Sequence, residues 1–166
     1  MYEMSSNFEY LEDSFPSLAN LGRLAEVYRK SDPNSSLMKQ GMIGEASVSM
    51  MFKFDRVPEP YENKAINRID ALQREGLFPK DVVDVLHLLR KFRNKAAHEG
   101  WGDETAAGQF LPIVHSLTGW FAGTYGPVGL IVPPYELPPA NIEQSEAQSL
   151  EKEEPALIVA DEQKAE

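Results

Sequence analysis

No cysteine occurs anywhere in the 166 residues. That single absence excludes a disulfide framework, a thiolate zinc site, an iron–sulfur cluster and a cysteine nucleophile. Long apolar runs are also missing: no window approaches the roughly 18 residues that a membrane span requires. The opening Met1-Tyr2-Glu3-Met4-Ser5-Ser6 has neither the basic stretch nor the apolar core of a secretory leader. A cytoplasmic protein with no membrane partner is the expectation. There is no glycine-rich phosphate loop and no Gly-x-Ser-x-Gly elbow, which argues against a motor, an ATPase or a serine hydrolase within these residues. Histidines and carboxylates do not recur at ligand spacing, so neither a metal nor a cofactor is expected.

Positive charge is scarce as well. Sixteen Lys and Arg stand against 26 Asp and Glu, giving a net charge of −10. The deficit is uneven: residues 132–166 hold nine acidic and two basic side chains, so seven of the ten net charges lie in this last stretch. A wide, nonspecific nucleic-acid footprint is therefore excluded, whereas a confined basic cleft in the nearly neutral remainder is allowed.

What the sequence does contain is helical periodicity. Leu18, Leu21, Leu24, Ala25 and Tyr28 repeat at three and four residues and predict a first helix over 17–30, with Ser14 or Ser17 as its cap. Asp32-Pro33-Asn34-Ser35 interrupts it. Leu37, Met38, Met42, Ile43, Ala46, Val48, Met50, Met51 and Phe52 predict a second helix, apolar on much of its circumference, with Gly41 and Gly44 inside it. Ile66, Ile69, Leu72 and Leu77 mark a short third helix ending near Gly76. The fourth runs from Pro79 to Gly100 and the fifth from Ala106 to Tyr125. No segment alternates with a period of two, so the body reads as an all-α bundle of about five helices over residues 1–126. From Gly126 the grammar changes to Gly-Pro-Val-Gly, then Pro133, Pro134, Pro138 and Pro139, and then a Glu, Gln, Ser and Ala stretch. Residues 127–166 read as a disordered, acidic, proline-rich linker or tail, in which the apolar run Val128 to Val132 has the composition to lie along the bundle. Pro133-Pro134-Tyr135 reads as linker or as recognition motif.

The densest polar cluster, Arg90-Lys91-Phe92-Arg93-Asn94-Lys95-Ala96-Ala97-His98-Glu99, closes the fourth helix. At about 100° per residue, His87, Arg90, Asn94 and His98 share a face, and Arg93 falls closer to the apolar stripe. A guanidinium there needs an acceptor, for which Glu45 on the second helix and Glu26 on the first are candidates. Bound phosphate is the other natural partner of that planar fork. An arginine beside a histidine that titrates near neutrality can cleave RNA without metal, the histidine moving a proton and the arginine stabilising charge on phosphorus. The same residues also make an ordinary helix C-terminus, with cations on the dipole and Gly100 in the left-handed cap. Spacing leaves both readings open. His87 and His115 read as structural or surface residues; Trp101, Trp120, Tyr125 and the second-helix methionines as core or dimer interface.

The string Arg93-Asn94-Lys95-Ala96-Ala97-His98, on the penultimate helix of an all-α bundle, resembles the signature of the HEPN superfamily. Further segments agree: Asn7-Phe8-Glu9-Tyr10-Leu11-Glu12, Leu24-Ala25-Glu26, Ser31-Asp32-Pro33-Asn34-Ser35, Gly44-Glu45, and Gly76-Leu77-Phe78-Pro79. Together they resemble a HEPN-related domain of unknown function found at the N-terminus of type I restriction enzyme R subunits and related helicases, over about residues 7–125. The resemblance implies a bundle that homodimerises through the motif helix, with two motif copies facing each other across a composite cleft. It further implies either a metal-independent endoribonuclease of defence systems or a binding module that has lost activity. RNA or DNA, and other restriction or defence subunits, are the implied partners. Arg93 and His98 match the motif's catalytic pair and Asn94 its polar neighbour, with Arg90, Lys95 and Glu45 in support. One position departs: related domains carry an arginine four residues before the glutamate, and this chain has Gly41 before Glu45, which bears directly on catalytic competence. The alternative function is a non-enzymatic helical protein–protein interaction domain in which the motif is structural.

Overall fold

The computed structural model describes residues 6–136. Five helices follow a 3-10 turn at Glu9–Leu11: α1 Pro16–Ser31, α2 Pro33–Phe54, α3 Ala65–Arg74, α4 Lys80–Glu99 and α5 Glu104–Tyr125. Among the described residues there is no strand, so the expected all-α bundle of five helices is the observed architecture. The acidic stretch from residue 137 onward, expected to be disordered, lies outside the described residues.

α2 is the central element and packs against each of the other four helices, which accounts for apolar residues around most of its circumference. Its Ile43 and Met51 meet Leu18 and Leu21 of α1, Leu72 of α3, Leu86 and Leu89 of α4, and Leu111, Val114 and Phe121 of α5, all buried in one core. Phe8 and Leu11 from the N-terminal turn are fully buried there too. Each such side chain contributes about 1.5–3 kcal/mol on burial. The 3-10 turn had no periodic signal; its existence depends on where Phe8 and Leu11 find a core to enter. At the far edge of α5, Tyr125 donates a 2.5 Å hydrogen bond to Asp55, and burial first, then that carboxylate, holds its phenol well above the ordinary value.

The α1–α2 junction is tighter than the sequence suggests. Asp32-Pro33-Asn34-Ser35 reads as an interruption, yet α2 begins at Pro33 and Asp32 is its N-cap, accepting from the Ser35 amide at 3.2 Å and the Ser35 hydroxyl at 2.6 Å. α1, by contrast, starts at Pro16 behind Phe15 with no side-chain cap, so neither Ser14 nor Ser17 has the expected role. Asn34 in the first turn of α2 reaches across to the end of α4, donating to the Ala96 carbonyl at 2.9 Å and the Trp101 carbonyl at 2.7 Å. It thereby satisfies a helix-terminal acceptor while Gly100 turns the chain in the left-handed region at φ 64°. Asn34→Ala removes both bonds, and a loss of about 1–2 kcal/mol in a urea unfolding curve is expected; an unchanged midpoint would show that water replaces them.

Past α5, residues 127–136 turn back along the bundle. Leu130 and Tyr135 pack on the core and Val132 lies against Gly119, whereas Val128 and Ile131 face solvent.

Candidate functional site

α4 presents its polar cluster at the crossing with α2. The two helices approach so closely that a Cβ on Gly41 would lie 2.5 Å from the Arg93 Cβ, and one on Gly44 3.3 Å from Leu89 Cδ1. A side chain at position 41 would thus meet the stem of Arg93. That stem runs to Glu45, whose Oε1 is 2.8 Å from the Arg93 Nε. The contact is an ion pair whose alignment falls short of a hydrogen bond at Nε. Of the two acceptors that the sequence offered, Arg93 takes Glu45. Glu26 is engaged elsewhere, buried and accepting from the Asn7 side chain at 2.6 Å and the Asn7 amide at 3.3 Å.

The pair is not sealed: 20% of the Arg93 side chain and 43% of the Glu45 side chain stay exposed. Arg90, one turn earlier, lines a cleft between α2, α3 and α4 together with Glu45, Arg68, Gly41 and Gly44, with about 30 Å³ of free volume, room for one or two waters. Its Nε is buried without a hydrogen-bond partner among the described residues. Arg68 completes the cleft and gave no signal in the sequence, being one charged residue on an amphipathic helix. It is fully engaged, with Glu59 at 3.0 and 2.9 Å, Ser49 Oγ at 3.1 Å and the Phe52 ring 5.0 Å below.

The other motif residues point outward. Asn94 and His98 are exposed and make no hydrogen bond among the described residues. Lys95 lies with its Nζ 4.4 Å over the Trp101 ring, which with Phe92 and Phe110 forms a partly buried aromatic group beside Leu37 and Ala96. His87 turns toward α3, 3.7 Å from Asp70. Within one copy, Arg93 and His98 diverge: five residues separate them by about 140° around α4. The structure therefore joins Arg93 with Glu45, and Arg90 with Glu45 and Arg68, but does not bring His98 to either group. Among the described residues no three His, Asp or Glu side chains converge as metal ligands would, and no helix is long and apolar enough to cross a membrane.

Fold and site define an all-helical domain whose fourth helix carries a largely covered arginine on one flank and an exposed Asn and His on another. Its sequence is similar to that of the type I restriction enzyme EcoKI endonuclease subunit of Escherichia coli (strain K12), with 29% identity over 116 residues. The match covers 70% of this chain but only 10% of that protein, so the chain spans about a tenth of its relative's length. The domain is thus related to a segment of a restriction-enzyme subunit. No family model and no solved structure matches the chain.

Proposed function

We propose that this chain is a HEPN-like dimerising and nucleic-acid-sensing domain of a type I restriction or related antiviral defence protein, working alongside other subunits of that system. The observation that carries the reading is the state of His98. It is exposed at the C-terminal turn of α4 and has no hydrogen-bond partner among the described residues, so it contributes little to the fold of one copy, and its role lies with whatever meets that face. Because Arg93 and His98 diverge on a single helix, a composite site requires a second copy to set its His98 opposite Arg93. The similarity to a restriction-enzyme subunit supports the system, and the basic stretch from Arg90 to Lys95 supplies local positive charge despite the acidic whole.

The half-exposed ion pair with Glu45 and the glycine at position 41 favour binding over cleavage. A guanidinium already paired is less available to stabilise charge on phosphorus, and the neighbouring arginine of related domains is missing. The test is purified protein with labelled single-stranded and structured RNA and with DNA in EDTA, read for binding and for cleavage, beside Arg93→Ala and His98→Ala. Binding weakened about tenfold by His98→Ala with an unchanged melting temperature is expected, with light scattering reporting a dimer. Cleavage lost in both variants would make the domain a metal-independent endoribonuclease, leaving a 2′,3′-cyclic phosphate. A lowered melting temperature in His98→Ala with no nucleic-acid effect would instead support the helical protein–protein interaction domain.

A further inference from the structure

Away from α4, a histidine is buried among aromatic rings. His115 on α5 is 6% exposed. Three aromatic rings surround it at near-perpendicular angles: Phe8 at 5.6 Å, Tyr10 at 5.7 Å and Tyr135 at 5.6 Å. A hydrogen bond with the Asn7 main chain favours the protonated ring, so the imidazole N–H donates to the Asn7 carbonyl. Nε2, on the other side, has no partner among the described residues. The Tyr135 side of this box is built by residues 127–136, which are tied down at their far end by Asn7. The Asn7 side-chain amide reads the Glu136 main chain from both sides, its Nδ2 donating to the carbonyl and its Oδ1 accepting from the amide at 2.7 Å.

We propose that residues 127–136 form a strap latched on His115, docked while the imidazole is neutral and released when it is protonated. A second proton would sit on Nε2, which is buried among the rings and has no hydrogen-bond partner among the described residues. Of the titratable groups around the box, the one carboxylate close by among the described residues, Glu26, is already committed to Ser6 and Asn7 and reaches the ring only through Asn7. From the N-terminal turn comes Tyr10, whose hydroxyl bonds Thr118 Oγ1 at 2.8 Å and whose phenol is pushed up to about 12 by burial, so it stays neutral. From α1 comes Glu26, which acts through Asn7, and Arg29, which lies against Gly108 two turns away along α5. From the strap come Tyr135 and the main chain of Glu136; the Glu136 side chain itself is solvent-exposed. Burial lowers the His115 pKa below its ordinary 6.5, outweighing the Asn7 bond. The released state therefore binds more protons than the docked one, so docking is at full strength above pH 6.5 and weakens as pH falls below it. The released segment would free Asn7 and uncover Phe8, coupling the chain that leaves the bundle to the N-terminal turn.

The experiment is amide hydrogen exchange on the full chain at pH 7.5 and 5.5, each rate divided by its intrinsic rate at that pH, with the His115 ring protons followed by NMR. Protection of residues 127–136 should fall about tenfold at pH 5.5 while α1–α5 keep theirs, in step with the His115 titration. His115→Asn, whose side-chain amide can keep the bond to the Asn7 carbonyl, should hold the strap at both pH values. Tyr135→Ala should release it at both. Acid opening that persists in His115→Asn, a strap equally protected at both pH values in the native sequence, or loss of the strap only together with the whole bundle would each overturn the latch.

Discussion

Replacing Gly41 by arginine is expected to lower the melting temperature by about 10 °C rather than to improve the site. The first collision is between two Cβ atoms, 2.5 Å apart, and a Cβ position is set by the backbone, so no change of rotamer relieves it. Only a separation of α2 from α4 can, and that opens the contact between Gly44 and Leu89 as well. Overpacking of this kind costs about 3 kcal/mol, which for a chain of this size corresponds to a shift of about 10 °C. Gly41→Ala meets the same contact and should show most of the effect in a thermal melt. A melting temperature within about 2 °C of the unsubstituted protein would mean that the helices part easily, leaving the Arg93–Glu45 pair without a rigid support.

Glu26→Ala is expected to cost about 3 kcal/mol, an effect as large. The carboxylate is 3% exposed and accepts from the Ser6 hydroxyl and from both the main-chain and side-chain nitrogens of Asn7. Hydrogen bonds to a buried charge are worth about 1.5–3 kcal/mol each, and removing the acceptor strands the donors. Glu26→Gln keeps one acceptor oxygen and should recover about half of the loss. Because Asn7 also holds Glu136, urea unfolding should lose stability while exchange of the amides of residues 127–136 accelerates. Unchanged stability in Glu26→Ala would mean that water replaces the carboxylate, in which case Asn7 orients itself without α1.

Much of this fold is legible before any coordinates. The five helices follow from the spacing of Leu18, Leu21 and Leu24, of Leu86, Leu89 and Ala96, and of Phe110, Val114 and Phe121. A helix that buries one stripe must repeat apolar residues at three and four, and that repeat is local information. Gly100 as a left-handed cap is local for the same reason. The 3-10 turn was not legible because three residues carry no period, and Asp32 as a cap rather than a break was hidden because capping and interruption use the same residue types.

The candidate site divides along the same line. Residue chemistry and order on the chain placed Arg93, Asn94 and His98 on one helix and offered Glu45 as an acceptor. Which carboxylate Arg93 meets, that Gly41 is where its stem lies, and that Arg68 joins Arg90 and Glu45 in one cleft were decided by how α2, α3 and α4 cross. So was the burial of His115 among rings drawn from residues 8, 10 and 135. Sequence alone determined the helices and the motif, since periodicity and spacing act within a few turns. Tertiary structure alone decided the partners, because distances between residues tens of positions apart exist only once the core has brought their helices together.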